Sequence, residues 1–214
     1  VGRYQPHSAA EVLANQYGDC KDKHTLLEGL LDSVGIHASS ALINSSRKID
    51  PDLPSPSQFD HVISVVPIGK EMVWLDTTTE IAPFRLLTFN LRKKKALVIP
   101  PSGAAQLMEA PADSPVPNTQ VIETEGKVSD LGKLTAHVRL SFRGDSELPL
   151  RVGFRQMPNA RWKDLAKVVA QLEGLRGDVS ELKVDDPNDN RGPFHLEFDI
   201  AQPNFLDWSK QQSQ

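Results

Sequence analysis

Apolar residues recur with helical and strand periods in two blocks, separated by a stretch that has neither. In the first block a helix is expected over 8–16, with Ser8 as N-cap and Glu11 three residues on to complete a capping box. A second helix is expected after Asp19. Asp19 is its N-cap, Cys20 its first helical residue and Asp22 an acid in the first turn, where it suits the dipole. Leu26, Leu27, Leu30, Leu31 and Val34 give that helix an apolar stripe, and Gly35 supplies a left-handed stop. Strands are expected over 36–43, 59–67 and 71–76, the first two joined by a polar, proline-rich loop over 44–58. A short apolar run over 96–99 has no assigned role.

Pro100, Pro101, Pro111, Pro115 and Pro117, mixed with Ser, Ala and Gly, predict an extended connection. The chain therefore divides into a first domain over 1–99, a linker over 100–117 and a second, strand-rich α+β domain over 118–205. In the second domain, strands are expected over 119–125, 134–142, 179–184 and 194–200. One amphipathic helix is expected over 161–172, with Trp162, Leu165, Val168, Val169 and Leu172 on its apolar side. His137 alternates with apolar neighbours and reads as a packed strand histidine.

Composition narrows the function classes. With 39% hydrophobic and 24% charged residues the chain is of ordinary globular type, and a net charge of −4 gives no electrostatic reason to expect a nucleic-acid partner. The basic run Arg92 to Lys95 reads as a solvated strand end or loop. No apolar run approaches the roughly 20 residues of a membrane span, so no membrane span is expected in this chain. The sequence opens on Val1, which reads as a fragment or processed form. A single cysteine excludes an internal disulfide and leaves the redox compartment open. Asn44-Ser45-Ser46 fits a glycosylation sequon, a triplet common by chance.

Cys20 carries the first chemical signal. In the first turn of its helix, unpaired backbone N–H groups and the dipole favour a thiolate. Lys21 and Lys23 add to this, and Asp19 and Asp22 oppose it. A lone cysteine is as often a small buried hydrophobe, so position alone leaves both readings open. A hairpin turn centred between Ile68 and Gly69 would set His61 opposite Asp76 on neighbouring strands. The carboxylate could then fix the imidazole tautomer and free the other nitrogen for a thiol. A one-residue bulge would separate them. His24 and Asp19 could be taken for metal ligands beside Cys20, but zinc needs three or four well-spaced ligands. No metal and no cofactor is expected. Trp74 lies two residues before Asp76 and reads as core with some shielding of the pair, while Asp60 points away and is solvated.

Three segments together resemble the bacterial transglutaminase-like superfamily: Tyr17-Gly18-Asp19-Cys20-Lys21-Asp22-Lys23, Leu53-Pro54-Ser55-Pro56-Ser57-Gln58-Phe59-Asp60-His61-Val62-Ile63 and Trp74-Leu75-Asp76-Thr77-Thr78. The nearest subset pairs this core with an N-terminal β-rich domain and is usually exported. The resemblance implies an α+β, papain-like core in which a helix bearing the cysteine packs on an antiparallel sheet bearing the histidine and aspartate. It implies Cys20 as nucleophile, His61 as general base and acid, and Asp76 as the group that orients His61. Gln16 and Tyr17 are guesses for the oxyanion or substrate-binding neighbourhood, with Trp74. It further implies a peptide or protein amide substrate, hydrolysis or acyl transfer through a thioester, and a periplasmic or extracellular location. The family core has helical structure ahead of the cysteine motif, and little chain precedes Cys20. A truncated core, with an N-terminal domain in the parent protein, is therefore expected. The rival reading is an idle module of the same fold that binds peptides or cell-envelope partners.

Overall fold

A computed structural model describes residues 4–207. Its contacts divide the chain between Pro115 and Val116 into two compact units. Among the described residues there are four α-helices and two antiparallel sheets, a mixed α+β architecture. None of these helices is long and apolar enough to cross a membrane.

The first unit opens with α1 (Ala9–Asn15), whose capping box joins Ser8 and Glu11 as expected. The second helix, α2 (Cys20–Asp32), has Asp19 as N-cap in a reciprocal box with Asp22. Gly35, at φ +77°, closes it. The Gly35 N–H donates to the Asp32 carbonyl and the Ile36 N–H to the Leu31 carbonyl, each at 3.0 Å, the two bonds of a Schellman stop.

The strands are β1 (Ser39–Ile43), β2 (His61–Ile68), β3 (Glu71–Leu75), β4 (Lys95–Ile99) and β5 (Gln106–Glu109), in the order β3-β2-β1-β4-β5. β4 is the short apolar run that had no assigned role, and it pairs with β1. β5 corrects the expectation of an extended linker over 100–117. Met108 pairs with Ala96, and Ala110 is buried with its N–H on the Lys94 carbonyl at 2.8 Å. Four residues between prolines suffice for an edge strand, because only one side of it needs donors.

Neighbouring residues of β2 and β3 face opposite sides of the sheet. Val65 and Trp74 join one core with Ala41, Ile63, Leu87 and Val98. Val66 and Val73 join another, where Leu31 of α2 packs. The expected stripe on α2 is corrected accordingly. Leu30 and Val34 are 54% and 69% exposed, and the buried positions of the helix are Asp22 and His24. Both are polar groups satisfied inside, which an apolar pattern does not register.

The second unit holds β6 (Thr119–Val128), β7 (Leu134–Arg143), α3 (Glu147–Gln156), α4 (Trp162–Leu172), β8 (Asp178–Val184) and β9 (Phe194–Gln202), with sheet order β6-β7-β9-β8. Phe142, Phe154, Val169, Phe194 and Phe198 centre its core. α3 was not expected. Its inward positions include Glu147 and Arg151, and Pro149 and Gly153 weaken the helical signal. Proline is tolerated in a first turn because no N–H is needed there. On α4 the buried arc is Ala166, Val169 and Ala170, with Val168 and Leu172 50% and 79% exposed, which corrects the expected stripe.

Candidate active site

Cys20, His61 and Asp76 come from three elements that end near one another. Cys20 is the first residue of α2, His61 the first of β2, and Asp76 follows the last residue of β3. The β2–β3 turn is at the far end of the hairpin and differs from the expected one. Ile68 pairs with Glu71, so the two-residue loop is Gly69-Lys70. Gly69 has φ +62° at the first loop position, where the primed hairpin turns require a positive value. A β-branched Ile68 resists that conformation and stays in the strand.

The register is therefore displaced by two residues from the expected one. An even displacement leaves every side chain on its face. The ladder ends at Ser64–Leu75, and Asp76 turns back so that its Oδ2 lies 3.1 Å from His61 Nε2. Asp76 Oδ1 accepts from the Thr78 backbone N–H at 2.9 Å and from Thr78 Oγ1 at 2.6 Å. These bonds hold the carboxylate in place. Its side chain is 4% exposed and that of His61 is 16% exposed.

With Nε2 turned to Asp76, Nδ1 of His61 is the nitrogen left for the thiol. Cys20 is half-buried, and its thiol is acted on by the His61 ring and by the Val62 backbone N–H. The hydrogen bond to His61 holds the thiol below its ordinary pKa, against the opposing effects of burial and of Asp19. For His61, burial acts downwards as the largest single influence. The hydrogen bonds and charges of Asp76 and Cys20 outweigh it and push the ring up to about 9. Burial likewise acts to raise Asp76, but hydrogen bonds from His61 and Thr78 keep its carboxyl below the usual range. The three groups thus favour a thiolate beside an imidazolium, steadied by a carboxylate.

The Cys20 backbone N–H, at the helix tip, has no protein acceptor among the described residues. It is free to donate to an oxyanion formed at the thiol. Neither Gln16 nor Tyr17 hydrogen-bonds the three residues. Both are exposed, and Gln16 caps α1 in the left-handed conformation at φ +51°. Trp74, 4% exposed, belongs to the core on the sheet face opposite Leu31.

The site has supports that sequence reasoning missed. Asp22 is buried and accepts from the His7 backbone N–H at 2.9 Å and from the Asp19 N–H at 3.2 Å, with His7 Nδ1 3.2 Å away. It thereby ties the chain before α1 to the tip that carries Cys20. Thr78 was legible in principle, since an Asp followed two residues later by Thr is an Asx-turn pattern. His24 is buried with Nδ1 2.8 Å from Ser64 Oγ, a packed histidine held neutral by burial. No group of three or more His, Cys, Asp or Glu converges to hold a metal among the described residues.

Other residues singled out in the sequence make specific contacts. Asn44 is buried and its Nδ2 donates to the Gln58 carbonyl at 2.6 Å, so the sequon is not free for a glycan. Lys94 and Arg92 are not merely solvated. Lys94 Nζ donates to the Asn44 carbonyl at 2.8 Å, and Arg92 Nε to that of Leu87 at 2.9 Å. Asp60 is exposed but caps Ser45, accepting its N–H at 2.7 Å. Comparison with known protein families, with curated proteins and with solved structures finds no match to this chain.

Proposed function

We propose that the first unit is a transglutaminase-like, papain-like core and that the chain is a thiol enzyme acting on amide bonds through a thioester. The observation that carries this reading is the Cys20–His61–Asp76 relay, with its helix-tip thiol and buried carboxylate. The thiolate attacks the amide carbonyl while the Cys20 N–H donates to the developing oxyanion. His61 then gives its proton to the leaving amine, and a thioester on Cys20 remains. Water activated by the now neutral His61 releases the acid, which makes the enzyme a peptidase or amidase. An amine in place of water would give transamidation. The resemblance also carries the proposal of a periplasmic or extracellular setting.

Alkylation tests the reading directly, because Cys20 is the only thiol in the chain. Iodoacetamide at pH 6 is expected to modify the protein rapidly, and His61→Ala to slow this by about tenfold or more, since the thiolate then reverts towards an ordinary pKa. Slow alkylation at every pH, indifferent to His61, would overturn it.

A further inference from the structure

A concavity in the first unit lies along a row of side chains that starts at Val62, the residue after His61. Val62, whose N–H helps hold the Cys20 thiol low, pairs with Leu42. Leu42 pairs with Leu97, and Leu97 with Leu107. Directly paired residues share a sheet face, so these four side chains form one row across β2, β1, β4 and β5. α2 covers the β2 end of that face, through His24 on Ser64 and Leu31 on Val66.

Over the rest of the row the loop between β1 and β2 stands off the sheet and leaves a cavity of about 480 Å³. Leu42, Leu97 and Leu107 line it from the sheet, and Leu53 and Phe59 from the loop. Phe59 is two residues before His61. Leu53 and Leu107 remain 58% and 44% exposed, so the protein's own side chains do not fill the space. The polar groups of the wall are already engaged. Gln58 Oε1 accepts from the Asp50 N–H at 2.6 Å, while Nε2 donates to the carbonyls of Asp50 and Leu53. Ser55 and Ser57 share a hydrogen bond at 2.8 Å. What faces the opening is mainly carbon.

We propose that this cavity is the specificity pocket of the thiol site and takes a leucine- or phenylalanine-sized side chain of a peptide substrate. The pocket rests on the thiol-enzyme reading above and names the substrate class for it. Strands are spaced about 4.8 Å apart, so Leu97 is roughly 10 Å along the row from Val62. An extended peptide covers that distance in about three residues. The recognised side chain is therefore two or three residues from the carbonyl that Cys20 attacks. Burying such a side chain favours the apolar peptide over a glycine one by roughly ten- to a hundredfold.

The test uses peptidyl vinyl sulfones with residues on both sides of the electrophilic carbon. All positions are glycine except one, which carries leucine two or three residues to either side. The rate of Cys20 modification by each is divided by the rate with iodoacetamide, which is too small to reach the cavity. One leucine peptide is expected to exceed the all-glycine peptide by roughly tenfold or more. The gain is expected to collapse in Leu107→Asp and in Leu53→Asp, both at exposed positions where a carboxylate does not threaten the fold. Equal rates for leucine and glycine peptides, or a preference that survives both substitutions, would overturn the pocket while a His61-dependent iodoacetamide rate upholds the thiol reading. Iodoacetamide reactivity that ignores His61 would overturn the thiol reading and this assignment with it.

Discussion

Between Cys20 and His61 the proton belongs on the ring. The thiol is held below its ordinary pKa and the imidazole is raised to about 9. Activity needs both charged forms, so the pH–rate profile should be a bell that rises as the thiol ionises and falls near pH 9. Asp76→Asn keeps the shape of the side chain and removes its charge. The alkaline limb is then expected to move down towards 6.5, the ordinary histidine value, as read from turnover against pH. The same shift is a statement about stability. Because His61 is raised in the folded state, its contribution is complete below about pH 6.5 and is lost as pH rises through about 9. Asp76, held low, contributes above about pH 4 and loses its contribution in acid. Cys20, held low, gains over the range in which His61 loses, so the two offset and the melting temperature should stay nearly level between pH 7 and pH 9; a steep fall would mean that the thiol is not held below its ordinary value. Thr78→Val removes the 2.6 Å bond to Asp76 but leaves the backbone N–H in place. A loss of about 0.5–1.5 kcal/mol is expected, with the alkaline limb shifted down in the same sense. An unmoved limb would mean that Thr78 does not position the carboxylate.

The tip of α2 decides where the thiol points, and its anchor is Asp22. Asp22→Ala leaves the N–H groups of His7 and Asp19 without their acceptor. A cost of about 1–3 kcal/mol in denaturant unfolding is expected, together with slower alkylation of Cys20 at pH 6. If stability falls while the thiol keeps its rate, Asp22 serves the fold alone. Gly18 supports the same corner, since a Cβ there would be 2.6 Å from Asp22 Cβ. At the level of elements, what was legible was what local chemistry specifies. Ser8 and Asp19 announce their helices by capping, and Gly35 announces an end. The His61–Asp76 meeting survived a mis-centred turn only because the displacement was even. What periodicity could not show was burial by polar partners. Asp22 and His24 on α2, and Glu147 and Arg151 on α3, occupy inward positions where an apolar pattern predicts leucine. The Val62 N–H and the row from Val62 to Leu107 depend on pairings between strands distant in sequence, which no local signal carries.

The two units keep separate cores, and the second is held by charge buried inside it. Glu147 and Arg151 are both fully buried, with Arg151 Nη2 2.8 Å from Glu147 Oε2. The guanidinium also donates to the carbonyls of Asp189 at 2.7 Å and Gly192 at 2.9 Å and lies 4.9 Å from the centre of the Phe194 ring. One side chain thus fixes the 185–193 connection against α3 and β9. Replacing one member of such a pair strands the other without a counter-charge, at a cost of about 3–5 kcal/mol. Arg151→Met removes the donors while keeping much of the apolar stem. Hydrogen exchange of the β7 and β9 amides is expected to quicken in that variant, because their opening then requires less free energy. None of the residues around Cys20 belongs to the core that Phe154 and Phe194 build. His61-dependent alkylation at pH 6 should therefore hold its wild-type rate under conditions where the second sheet already exchanges. A thiol rate that declines in step with exchange in β7 would show that the two units open as one, and the chemistry of the first would then depend on the packing of the second.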